Sequence, residues 1–136
     1  MAVNDARGTQ YFNLAIESTG NAASTGNLPV WMAPAKCQIT AVYLNPSAAI
    51  TADGTNNAIY TLTRHRAGAS ATTVATRTWA ATNSVAVTPE AMTLSATAAN
   101  LLLNADDTLT IIKTVGGTGL VIPNCGIRIS FLWTGV

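Results

Sequence analysis

The chain has 136 residues, of which 49% are hydrophobic and only 10% are charged, and its formal net charge is +1. This length suits one hydrophobic core. Seven lysines and arginines are too few for a general nucleic-acid-binding surface, which needs several cations on one face. No apolar run approaches the roughly 20 residues that span a bilayer, and the start MAVNDARGTQ resembles no signal peptide. We therefore expect a soluble protein that binds neither nucleic acid nor a membrane.

The low charge also bears on association. A surface built from Thr, Ser, Asn and Ala gives a free monomer little of the charge repulsion and hydration that keep proteins apart. The composition therefore indicates a protein that works inside an assembly.

Nearly every segment of the chain alternates with period two and is rich in Val, Ile, Thr, Tyr and Trp, which favours strands. In GIRISFLWTGV, for example, Ile127, Ile129, Phe131 and Trp133 share one face. Turn residues separate the runs. We predict strands near residues 10–17, 28–33, 36–45, 57–66, 72–80, 90–96, 107–115 and 126–134.

Eight strands at this spacing predict an all-β protein, an antiparallel β-sandwich or jelly roll. The stretch TLSATAANLLLN is the one place where Ala and Leu also permit a helical turn. We assign residues 36–136 to this sandwich domain.

The first 35 residues differ in character from the alternating body. The segment contains Pro29 and Pro34, and proline removes a donor from a strand ladder. Residues 1–35 are therefore predicted to be an N-terminal arm or an edge segment. Trp31 and Met32 then have two alternatives: they dock on a neighbouring surface, or Trp31 plugs the end of its own sandwich.

Residues able to carry chemistry are sparse. The carboxylates lie mostly in turns, and adjacent Asp106 and Asp107 point to opposite faces of a strand. His65 is the single histidine, too few for a histidine-based metal site. Cys37 and Cys125 form no metal-binding spacing, so we expect buried, reduced thiols. We predict no enzyme activity, no metal and no cofactor.

The stretch YTLTRHRAGASATTVATRTWA gathers the histidine and three of the five arginines, and it predicts a hairpin with the loop AGAS. Alternation places Arg64 and Arg66 on one face and His65 on the other. Two registers are open, with Arg77 opposite Tyr60 or opposite Thr61. The cations are interpreted as the polar end of a strand pair or as contacts to an acidic partner surface. The candidate partner contacts are Trp31, Met32, Arg64, His65, Arg66 and Arg77.

Residues 36–134 resemble the small β-sandwich decoration, or cement, proteins of tailed-bacteriophage heads. The resemblance is carried by CQITAVYLNPSAAIT, by the arginine-rich hairpin, by LLLNADDTLTIIKTVGGTGLVIP and by the last strand, GIRISFLW. One departure is Asp106, which stands in a turn where such proteins lead us to expect glycine. Trimeric jelly rolls of the tumour-necrosis-factor type and phage fibre tips share similar strand patterns.

The resemblance implies a structural virion protein that is assembled in the host cytoplasm and binds the capsid exterior. Its implied partners are the major capsid protein and further copies of itself, as a homotrimer. The alternative is a carbohydrate- or receptor-binding module of a fibre or tail, which needs exposed aromatic side chains. Tyr60 and Trp133 fall on faces expected to be buried, leaving Trp31 and Trp79 for that role.

Overall fold

The computed structural model describes residues 8–19 and 26–135, which form ten strands and one turn of 3-10 helix at Ala98–Leu101. The strands are β1 (Gln10–Ile16), β2 (Leu28–Met32), β3 (Cys37–Pro46), β4 (Ala58–His65), β5 (Thr72–Thr78), β6 (Glu90–Ala91), β7 (Thr93–Leu94), β8 (Leu102–Leu103), β9 (Thr108–Val115) and β10 (Cys125–Trp133).

The strands form two antiparallel sheets that pack against each other. Sheet 1 has the order β1-β10-β3-β6, with β8 also paired to β3, and sheet 2 has the order β2-β9-β4-β5-β7. Apart from the β4–β5 hairpin, consecutive strands lie in different sheets, so the chain crosses the sandwich repeatedly. The predicted antiparallel β-sandwich is confirmed, with ten strands in the described residues.

The predicted strand at residues 90–96 is instead two short strands. Glu90 and Ala91 pair with β3 in sheet 1, whereas Thr93 and Leu94 pair with β5 in sheet 2. Between them Met92 is buried, and its N–H donates to the carbonyl of Val42. The chain thus changes sheets within a stretch whose residue pattern suits one continuous strand.

Residues 10–16 and 28–32, within the segment predicted to be an arm or an edge segment, are edge strands. β1 lies beside β10 in sheet 1, and β2 lies beside β9 in sheet 2. Pro29 is tolerated in β2 because an edge strand has one unpaired side, and the register shifts between Pro29 and Trp31. The parts of the predicted arm at residues 1–7 and 20–25 lie outside the described residues.

The β4–β5 hairpin has the first of the two predicted registers, with Arg77 opposite Tyr60. A register shift between Leu62 and Thr63 introduces an irregularity next to the loop. Arg64 and Arg66 therefore keep a common side of the sheet at the loop end, while Arg77 lies toward the other end of the hairpin.

The turn before β9 explains the departure at Asp106. Asp106 has a φ of 68°, the left-handed conformation that favours glycine but that Asp also adopts. Its N–H donates to the carbonyl of Ala33 at 2.8 Å, and the N–H of Ala33 donates to the carbonyl of Asp107 at 2.9 Å. This exchange fixes the turn to the β2–β3 connection.

The core contains side chains from both sheets. Ile127, Ile129 and Phe131 of the last strand are buried, as the alternation predicts. On the facing sheet, the rings of Tyr60 and Trp79 meet edge to face at 5.3 Å. Lys113 shares the inner side of β9 and is fully buried, and this burial lowers its pKa.

Replacing Phe131 with Ala should lower the free energy of unfolding by about 3 to 5 kcal/mol, because the ring packs between Trp31 and Trp133 with both centroid distances at 4.9 Å. Tyr11→Ala is the matched control, since Tyr11 lies on the neighbouring strand but is exposed. Urea denaturation measures both variants. Equal effects of the two substitutions would contradict the assigned inner face.

Candidate interaction surface

An ion pair between Arg66 and Asp107 lies at one end of the sandwich. Arg66 donates from Nε to Oδ1 at 2.9 Å and from Nη2 to Oδ2 at 2.6 Å, so the contact is bidentate. Asp107 is only 2% exposed, and it also accepts the N–H of Asn104 at 2.8 Å. We name this end of the molecule, with the turn at residues 104–107 and the β2–β3 connection, the Asp107 end.

The protonation of Asp107 follows from these contacts. Burial by itself raises the pKa of the carboxyl group, but the hydrogen bonds from Arg66 and from the N–H of Asn104 outweigh it. The pKa of Asp107 is therefore held below its usual value. The carboxylate therefore stays ionised at neutral pH, paired with the guanidinium of Arg66.

Arg64 lies on the same side as Arg66 and also bonds inward. Its Nη1 donates to the carbonyls of Ala99 at 3.1 Å and Leu102 at 2.6 Å. Arg64 thereby holds the 3-10 turn against the hairpin. Both arginines serve contacts within the chain, which differs from the open polar end that the alternation indicates.

His65 faces the opposite side of the hairpin from the two arginines, as the alternation predicts. Its Nε2 lies 3.0 Å from Oγ1 of Thr110, and that hydroxyl is 3.1 Å from Oδ1 of Asn27. Because the single hydroxyl proton of Thr110 serves the Asn27 oxygen, Nε2 of His65 is the donor in the first contact. The ring fastens β4 to β9 and to the chain just before β2.

Arg77 belongs to a second network, toward the opposite end of the sandwich. It donates from Nη2 to Oε2 of Glu90 at 3.1 Å, and Oγ of Ser84 donates to the other Glu90 oxygen at 2.6 Å. Nε1 of Trp79 donates to Oγ of Ser84 at 2.7 Å. We name this end, with the buried Ser84 and the connections around residues 79–89 and 116–124, the Ser84 end.

The four predicted partner contacts with basic side chains therefore do not converge on one site. They are Arg64, His65, Arg66 and Arg77.

Trp31 packs on its own sandwich. Its ring lies 4.9 Å from the ring of Phe12 and 4.9 Å from the ring of Phe131, which joins the edge strands of the two sheets to the core. The sequence left two alternatives for Trp31, docking on a neighbouring surface or plugging the end of its own sandwich. These contacts are those of a plug. Met32, the next residue, is 60% exposed and remains available on the surface.

The expectation that Trp79 is available as an exposed aromatic platform is wrong. Trp79 is fully buried, because its indole N–H reaches Ser84 and its ring packs on Tyr60. On the outer face of sheet 1, Tyr11 is exposed, and the half-buried Tyr43 lies under the guanidinium of Arg128 at 4.7 Å.

The thiols of Cys37 and Cys125 are free and buried. Burial raises both pKa values to about 11, so the nucleophilic thiolate is scarce at neutral pH. Within residues 8–19 and 26–135 no group of His, Cys, Asp and Glu is arranged to hold a metal ion. The short helical structure in the same ranges has no element that is long and apolar enough to cross a membrane.

The outer face of sheet 1 is the surface that we consider as a candidate interaction site. Antiparallel register places Asn13, Arg128 and Tyr43 in one row across β1, β10 and β3. The next row contains Ala15, Gly126 and Asn45. The connection from β5 to β6 lies beside this row, and two of its side chains, Val85 and Val87, are exposed.

Sequence reasoning missed this surface. The sequence did contain a signal, the two valines in NSVAVTPE. This stretch is polar and contains a proline, so its valines do not belong to an alternating strand pattern that would bury them. Comparison with protein-family models, with curated proteins and with solved structures finds no significant match.

Replacing Asp107 with Asn should lower the free energy of unfolding by about 2 to 4 kcal/mol at pH 7, because it leaves the guanidinium of Arg66 without its carboxylate. Asp106→Asn is the control: the residue is adjacent and exposed, and Asn also adopts a positive φ. Chemical denaturation of both variants at pH 7 measures the difference.

The same pair predicts a pH dependence. Because the folded-state pKa of Asp107 is lowered, its stabilisation is complete above the unfolded-state value of about 3.9 and is lost as pH falls through the folded-state value. The stability gap between the parent and Asp107→Asn should therefore shrink below about pH 4. Ion-paired carboxyl groups titrate between roughly pH 5 and pH 1. If the stability gap stayed constant down to about pH 2.5, the lowered pKa of Asp107 would be contradicted.

Proposed function

We propose that the chain is a structural virion protein that binds the outer surface of a phage capsid and stabilises the head. Two lines support the proposal: the resemblance to decoration proteins carried by residues 36–134, and a surface on which few charges are free. The second is the observation that carries it, because it comes from the geometry of this chain.

Charged groups of the described residues are largely engaged within the fold. Arg66 pairs with Asp107, Arg77 pairs with Glu90, and Arg64 binds backbone carbonyls. Lys113 is buried, Asp53 accepts the N–H groups of Thr55 and Asn56, and Arg128 lies over Tyr43. The remaining surface is rich in Ala, Thr, Ser and Asn. Protein interfaces are likewise depleted of charge at their centres and enriched in Tyr, Met and Arg.

The mechanism of stabilisation is mass action. A protein that binds the assembled shell but not its separated subunits favours assembly by RT ln(1 + [L]/Kd) for each site, which is about 2.7 kcal/mol when [L] is 100 times Kd. This role needs a rigid module with a suitable face and no catalytic group. The sandwich, with its crossings held by two ion-pair networks, supplies such a module.

Self-association as a homotrimer is part of the proposal and rests on the resemblance. The N-terminal residues enter as a proposed contact to the shell or to an adjacent subunit. Because β1 begins at Gln10 and is a strand of the sandwich, a deletion that ends before Gly8 tests this contact without removing an edge strand.

The runner-up function is a carbohydrate- or receptor-binding module. One observation favours it: Tyr43 and Arg128 lie beside Asn13 and Asn45 on an exposed sheet face, where amide groups and a ring edge are available to hydroxyls. The ring face of Tyr43 is covered by Arg128, however, which removes the open stacking platform that sugar binding commonly uses. Binding to a glycan array, with no retention on shells, would favour this alternative.

The main test is co-sedimentation with empty shells of the major capsid protein encoded in the same genome. We expect saturable binding that changes by less than about threefold between roughly 50 and 500 mM NaCl, because screening acts weakly on a contact with few free charges. A steep loss of binding with salt, or no binding, would contradict the proposal.

Removing residues 2–7 in the same assay separates the arm from the sandwich. Weaker retention with an unchanged circular dichroism spectrum would assign a shell contact to those residues. Retention equal to that of the parent would reject the arm while leaving the sandwich surface as the binding element.

A further inference from the structure

Val87 has a backbone conformation that its side chain disfavours. Its φ is 54°, in the left-handed region that β-branched residues rarely adopt. The side chain is 72% exposed, so packing inside the chain does little to offset the strain. Glycine or asparagine would fit the same turn with less strain. A strained residue that gains little from its own fold points to a role outside that fold.

The connection that contains Val87 is firmly held. Ser84 is buried between Trp79 and Glu90, and it exchanges backbone hydrogen bonds with Ile50 at 2.9 and 3.1 Å. The N–H of Val87 donates to the carbonyl of Pro46 at 2.8 Å. Val85, between these two anchors, is 66% exposed. The loop is therefore a fixed, apolar projection at the Ser84 end.

Recesses lie beside this projection on the outer face of sheet 1. One, of about 130 Å³, is lined by Asn13, Tyr43, Asn45, Pro89, Gly126, Ile127 and Arg128. A broader groove of about 320 Å³ has Val87 itself on its rim. Gly126 lines both recesses and has no side chain to occupy them; a Cβ added there would meet Cβ of Asn45 at 3.8 Å, an ordinary van der Waals contact. A cavity of about 150 Å³ can hold benzene, so the smaller recess is of the right size for the isopropyl group of valine.

We propose that this face pairs two copies of the chain about a twofold axis, with Val87 of each copy seated in the recess beside Gly126 of the other. A twofold contact requires one patch that is complementary to itself. A patch with both a projection and a recess meets that requirement. The axis runs along the row formed by Ala15, Gly126 and Asn45.

Charge complementarity sets this axis. Alternation along β1 puts Asn13 and Ala15 on the outer side, and Arg128 is the neighbour of Asn13. Glu17 follows the end of β1, two residues after Ala15, and is exposed. Arg128 and Glu17 thus lie about two residues to either side of the Ala15 row, or roughly 7 Å each way at 3.4 Å per residue. Rotation about that row places the arginine of one copy over the glutamate of the other.

The pairing goes beyond attachment to a capsid and does not depend on it. The pairing uses the outer face of sheet 1. A trimer formed through another surface would leave this face free, and the twofold contact would then join two trimers back to back. The projection is apolar and the flanking charges are opposite in sign, which fits an identical surface better than it fits a strongly acidic or basic partner.

The test uses Val87→Asn, for which the two expected effects have opposite signs. The melting temperature of the chain should rise by about 2 to 6 °C, because Asn relieves the backbone strain. Self-association, measured by sedimentation velocity over a range of concentrations, should weaken at least about tenfold, because a central apolar contact is lost. Leu102→Gln is the control, since Leu102 is 43% exposed but lies at the Asp107 end, and it should leave association unchanged.

Charge reversal tests the axis. Glu17→Arg and Arg128→Glu should each weaken association, and the double variant should restore it to within about threefold of the parent. A double variant as weak as the singles would overturn the twofold arrangement.

Two further results would overturn the proposal. One is a parent chain whose mass does not double up to about 100 µM, a concentration at which weak specific contacts are populated. The other is a Val87→Asn variant that associates like the parent but loses retention on shells, which would identify the shell as the partner of this face. Intact shell retention with lost self-association would leave the capsid role standing and support the pairing.

Discussion

The ion pair between Arg66 and Asp107 holds together the end of the sandwich at which the chain crosses between sheets. Through Asp107 it fixes Asn104, which follows β8 of sheet 1, and the start of β9 in sheet 2. Through the backbone exchange with Ala33 it also fixes the connection from β2 to β3. A fold in which consecutive strands alternate between sheets has many such crossings. Each crossing exposes backbone polar groups that need partners. Here the buried carboxylate of Asp107 accepts the N–H of Asn104, and the backbone carbonyl of Asp107 accepts the N–H of Ala33.

The second network does the same at the other end and produces the most unusual surface feature. Arg77, Glu90, Ser84 and Trp79 bind one another, so the connection after β5 is fixed although it contains no regular structure. A connection held in this way can keep Val87 in a strained conformation, because its anchors resist relaxation. The internal hydrogen bonds of Arg77 and Glu90 thus hold in place a loop whose exposed side chains, Val85 and Val87, are apolar.

This distribution of charge separates the proposed roles. An enzyme needs titratable groups that are accessible to a substrate, whereas the carboxylate of Asp107 is buried and ion-paired, and the pKa values of both thiols are raised to about 11. A sugar-binding site needs open aromatic faces, whereas Trp79 is buried and Tyr43 is covered by Arg128. A structural subunit needs only a rigid body with a face that tolerates loss of water. This contrast is the reason why we propose a structural role.

The sequence by itself determined the strands and the sandwich, because alternation of apolar and polar residues is a local property with a period of two. It placed Ile127, Ile129 and Phe131 in the core, and it separated Arg64 and Arg66 from His65. Only the tertiary structure decided which strands are neighbours, where the chain changes sheets at Met92, and that the arginines of the hairpin bind residues up to 41 positions away. Pairing partners distant in sequence leave no periodic signal. The strain at Val87 likewise depends on anchors at Pro46 and Ser84 that meet only in the folded chain.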